Sequence, residues 1–191
     1  MMLRFLGLIS LFVAVSSAQA HPNHFHEIAG TLQTGFLHPL AGIDHLLAMV
    51  LVGLLATQMD GRPRWSLPAL FCGSMGISMI AGHTLGPFAT LDVALAITLI
   101  VLGTCLVRQN RFAGLVAIVA TCGGLHGFSH AAGSAAGVST QHMGGIFLGT
   151  VALHLVGMTL GIAFRQSGHR TTLVRVSGML ACGVGIALLV G

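Results

Sequence analysis

The chain has 191 residues, 54% of them hydrophobic and 6% charged, far below the roughly 25% charged residues of a soluble domain. That balance excludes an ordinary soluble enzyme or binding module and points to a polytopic membrane protein with an all-α fold. The net charge of +4 is no nucleic-acid footprint, because the basic residues are all Arg and lie scattered in short loops.

Residues 1–20 read as a cleaved signal peptide. Arg4 supplies the basic start, Phe5 to Val15 the short apolar run, and Ala18-Gln19-Ala20 the small-residue cleavage site. Cleavage leaves His21 at the mature N-terminus. Residues 21–35 form a His-rich segment carrying His21, His24 and His26. Residues 36–191 form a six-helix transmembrane domain. Its apolar runs lie near Phe36–Thr57, Leu67–Gly82, Leu91–Val107, Phe112–His130, Met143–Phe164 and Leu173–Val190, each about long enough to cross hydrocarbon as a helix.

Arginine sets the orientation. Arg62 and Arg64, then Arg108 and Arg111, then Arg165, Arg170 and Arg175 fall in alternate connections, and the other loops and both mature termini hold no Arg or Lys. The positive-inside rule puts the Arg connections in the cytoplasm and both mature termini outside, which agrees with signal cleavage. Gly123/Gly127, Gly145/Gly149 and Gly157/Gly161 have the small-xxx-small spacing of close helix contact; a homo-oligomer is one arrangement such stripes permit. Cys72, Cys105, Cys122 and Cys182 all sit in apolar runs without a C-x-x-C pair, as small packing residues do.

The first span carries the chemistry: His38-Pro39-Leu40-Ala41-Gly42-Ile43-Asp44-His45. An Asp at mid-membrane costs at least ~2.5 kcal/mol, so something must offset it. His38 and His45, seven apart, are expected on one face of a continuous helix. Pro39 and Gly42 can kink or open that helix and free carbonyls toward a cavity. In the fourth span His126 and His130 are one turn apart. Of the other histidines, His83 and His142 fall at the outer ends of their spans, His154 near the middle of the fifth, and only His169 on the cytoplasmic side. The asymmetry suits an entry funnel for a cation coming from outside.

Neutral imidazole with one carboxylate suits borderline first-row divalent ions, whereas magnesium and calcium want more carboxylates. Nickel, cobalt and zinc all fit, as transported ions rather than tightly bound cofactors. Against that stands a haem-binding membrane electron-transfer protein, with paired histidines as axial ligands; it leaves Asp44 beside His45 unexplained. A membrane di-metal oxidase wants more carboxylates or denser histidine, and an intramembrane zinc protease wants H-E-x-x-H, which this chain lacks. The bland readings are packing histidines at His83 and His154, and a proton-relay or helix-pairing role for Asp44.

The first-span motif His38-Pro39-x-x-Gly42-x-Asp44-His45 resembles the signature of the HupE/UreJ family, accessory nickel/cobalt permeases of hydrogenase and urease systems. That family's fourth-span signature, His-Gly-x-Ala-His-Gly-x-Glu, is met in part by His126-Gly127-Phe128-Ser129-His130-Ala131-Ala132-Gly133: both histidines match, while Ala131 replaces a glycine and Gly133 the glutamate. The resemblance covers essentially the whole mature chain. It implies a non-enzymatic importer of nickel or cobalt across the inner membrane, linked indirectly to hydrogenase or urease maturation. His38, Asp44, His45, His126 and His130 carry over as metal-handling residues.

Overall fold

The structure, a computed structural model, describes residues 30–59, 64–85, 90–109, 114–132 and 139–191. These residues form the helices α1 (Leu32–Ala41), α2 (Ile43–Ala56), α3 (Ser66–Leu85), α4 (Leu91–Arg108), α5 (Gly114–Ala132), α6 (Thr140–Gln166) and α7 (Arg170–Val190). The expected signal peptide and the tail histidines His21, His24 and His26 lie outside the described residues, as do Arg62, Arg111 and Gly133.

The fold is all-helical, as the composition requires. By length and apolarity α4, α5, α6 and α7 each suffice to cross a membrane. The first expected span differs from a single rod. It starts earlier, at Leu32, and breaks at Gly42 into α1 and α2, which meet at 87° and together make one broken or re-entrant span. α3 offers a shorter apolar stretch, Ser66–Gly82. Six spans were expected; the described residues hold four or five by this measure, with α3 just short of it.

The break has a local cause. Proline at 39 lacks an N–H, which weakens the last turn of α1. Gly42 then takes an extended conformation (φ −97°, ψ 123°), ending α1 and opening α2 at once. The first bond of α2 runs from Leu46 N–H to the Gly42 carbonyl, 2.9 Å. The entry to α1 is capped by Thr31, whose hydroxyl accepts from Thr34 N–H at 3.2 Å. The entry to α6 is capped by Ser139, which accepts from His142 N–H at 3.1 Å and bonds the Gly30 carbonyl. The starts of α1 and α6 are thereby tied together.

Packing follows the glycine stripes. Backbone of α3 at Phe71 and Met75 lies where side chains at Gly123 and Gly127 of α5 would stand. Gly35 and Gly145 bring α1 against α6, and Gly53 and Gly157 bring α2 against the middle of α6. Close backbone approach of this kind replaces the hydrophobic drive that lipid does not supply. Inside sit Met49, Leu54, Phe71, Met75, Leu99, Leu102 and Ile146, all buried, while Ile77 and Ile80 of α3 are 73% and 69% exposed. An outward apolar belt of that kind is what a lipid-facing surface presents.

The two ends of the bundle differ chemically. At one, the end of α1, the starts of α2 and α6 and the end of α5 gather histidines. At the other, Arg170 at the start of α7 donates twice to the Gln58 side-chain oxygen beyond α2, at 3.0 and 2.8 Å. Gln58 donates in turn to the Thr57 hydroxyl, 2.9 Å, and the Leu54 carbonyl, 3.3 Å.

Candidate metal site

Among the described residues, five histidines from four helices meet at the first end. His130 of α5 lies at its centre, its ring centroid 4.9 Å from that of His38 and 4.6 Å from that of His45. His45 is 5.0 Å from His126 and 6.3 Å from His38, and His38 is 5.7 Å from His142. The rings meet mostly edge to face.

The route to this cluster differs from the expectation of one continuous helix face. His38 closes α1 and His45 opens α2, with the bend between them. The bend swings His38 back over the α2 entrance, so chain folding rather than the seven-residue period makes them neighbours. His38 is exposed, His45 and Asp44 are partly covered, and His126 and His130 are buried. The cluster thus grades from an open rim to a closed floor.

Asp44 stands beside His45, its Oδ1 2.9 Å from His45 Nδ1. Its place in the first turn of α2 sets a carboxylate against the positive end of that helix. Gly42 makes this fit: a Cβ there would lie 2.8 Å from Asp44 Oδ1 and 3.2 Å from His45 Nδ1. The other nitrogen of His45 is 3.2 Å from Ser129 Oγ. Ser129 also donates to the His126 carbonyl at 2.7 Å, so it ties His45 to the helix that carries His126. His45 is therefore engaged at both nitrogens, and an ion must displace one bond to use it.

His126 is set differently. Its Nδ1 donates to the Cys122 carbonyl, 2.8 Å, because a carbonyl only accepts. That fixes the tautomer and leaves Nε2 with a lone pair, buried and without a hydrogen-bond partner. A ring held by a backbone carbonyl at one nitrogen is the usual posture of a metal-ligating histidine. Both nitrogens of His130 are also buried and without partners. Cys122, one turn before His126, thus serves the site through its backbone carbonyl.

His142 is the addition that the sequence pattern left without a role. Its Nδ1 lies 3.2 Å from the Thr34 hydroxyl, which itself donates to the Thr31 carbonyl at 3.0 Å. Among the described residues no three His, Cys, Asp or Glu side chains close on a common point as a finished ligand set. His154 lies apart, deeper in α6, and the His83 side chain falls outside what the structure describes.

A family model described as HupE / UreJ protein matches residues 9–188. The chain is 33% identical over 180 residues to "Protein HupE" of Rhizobium leguminosarum bv. viciae, an alignment covering 90% of this chain and 91% of that protein. No solved structure matches.

Proposed function

This chain belongs to the HupE/UreJ family, and on that premise we propose that it is a permease carrying nickel or cobalt inward across the inner membrane. The observation that carries this reading is the cluster around His130, where a buried imidazole with both nitrogens unpartnered is ringed by His38, His45 and, through His45, His126. Buried polar atoms are nearly always satisfied, and neutral imidazoles with one carboxylate suit a borderline divalent ion.

On this reading the ion enters from outside, where His38 and His142 form the rim. It exchanges water for imidazole beside Asp44, whose charge offsets part of the dication's. It then passes the floor histidines of α5, which lie in the last turns of that helix where the dipole favours a cation. A permease must hold its cargo loosely enough to let go, and dispersed imidazoles meet that need. An inside-negative potential supplies about 4.6 kcal/mol per 100 mV for a dication, twice the single-charge value, enough to drive uptake without ATP. The His21, His24 and His26 tail serves as a collector, and the delivered metal feeds hydrogenase- or urease-type enzyme maturation.

Radiolabelled uptake into cells tests the proposal. Wild type should accumulate nickel or cobalt, with zinc as the competing ion that reports selectivity. Asp44→Ala should insert normally and lose uptake at least tenfold. Normal accumulation in that variant removes Asp44 from the mechanism. Deleting residues 21–26 should raise the metal concentration needed for half-maximal uptake and leave the rate at saturation intact.

A further inference from the structure

The deeper histidine has its own chemistry. His154, near the middle of α6, is fully buried, and its Nε2 has no hydrogen-bond partner. Its Nδ1 is 3.9 Å from Cys72 Sγ of α3, across the α3–α6 interface. Met75, one turn further along α3, is buried and takes the Thr150 hydroxyl on its sulfur at 3.8 Å. Thr150 is one turn from His154 on the same face of α6. Two soft donors of α3 thus line the face of α6 that carries a buried imidazole.

The spacing fits an ion. A tetrahedral metal about 2.0 Å from nitrogen and 2.3 Å from sulfur separates the two donors by about 3.5 Å, close to the observed 3.9 Å. The pair is also well placed. The Phe71 ring lies 5.6 Å from His126 and 5.2 Å from His154, so it stands between the outer cluster and the inner pair. From His142 to His154 along α6 is about 18 Å, which puts the pair well inside the bundle.

We propose that His154 and Cys72 form a second, inner station for a divalent transition metal ion, separated from the outer histidine cluster by Phe71. This rests on the permease reading for its role in transport, but its capacity to bind does not. The outer cluster offers nitrogen and oxygen only, and the inner pair adds a sulfur. Binding replaces the thiol proton with the ion, and one proton leaves to the aqueous phase for each ion held.

Cobalt(II) added to the detergent-purified full-length chain provides the test. Wild type should develop a sulfur-to-cobalt charge-transfer absorption in the near ultraviolet. The nearly isosteric Cys72→Ser should lose that band while keeping the wild-type melting temperature. His154→Ala should weaken the band, and His45→Ala should retain it. A wild type without the band, or a band that survives Cys72→Ser, overturns the station. In cells, Cys72→Ser should lower maximal cobalt uptake several-fold, and an unchanged rate overturns the relay role. Should wild type show the band yet accumulate no metal, the permease reading fails while the station stands.

Discussion

Gly42 shows how little room the site leaves. Its extended backbone seats Asp44 and His45 against the space that a side chain at 42 would need. Gly42→Ala should therefore push the carboxylate and imidazole apart and weaken metal binding by roughly 10-fold or more, the scale for disturbing groups that orient a ligand; calorimetry with nickel on purified protein measures it. Ser129→Ala should act similarly, within about 10–100-fold, by releasing the His45 ring from its 3.2 Å partner. An affinity equal to wild type would show that the hydroxyl does not hold the ring. The acidic and imidazole groups were legible in sequence because their types are so costly in an apolar run. Thr34 and Ser129 were not, since small hydroxyls are ordinary in membrane helices and their partners lie 108 and 84 residues away. Topology could place His142 at the same end of the bundle as His38, but no periodicity joins the two.

Helix pairing rests on close backbone approach, as where Gly127 of α5 meets the Met75 carbonyl region of α3. Gly127→Val should force these helices apart and cost at least about 1–3 kcal/mol, as overpacking does, visible as a lower melting temperature in detergent. It should also carry His126 and His130 out of register and so weaken metal binding. The glycine spacing was readable beforehand as a contact stripe, though which helix each stripe meets was not, because lipid-exposed and buried faces share one composition. The interruption in the first span was also foreshadowed by Pro39 and Gly42. Its 87° size depends on the α1–α6 contact at Gly35 and Gly145, which only the assembled bundle reveals.

At the scale of the whole molecule, the histidine end and the arginine end stand opposite, with Arg170 clasping Gln58 where α2 finishes. The distribution of arginines among loops predicts which end faces the cytoplasm. A phosphatase reporter fused after Gly191 should be active outside the membrane, and one fused after Ser167 inactive; the reverse pattern would invert the orientation. Composition alone was enough for the fold class and the membrane setting, because so few charges leave no alternative. The bend at Gly42 carries one more implication. With α1 turned aside, α2 alone runs on from the polar bracket, and its 14 residues reach about 21 Å against the ~30 Å of a hydrocarbon core. On the permease reading, a cation held at the head of α2 would face only those roughly 21 Å of helix, so the barrier left to cross would be thinner than the hydrocarbon core itself.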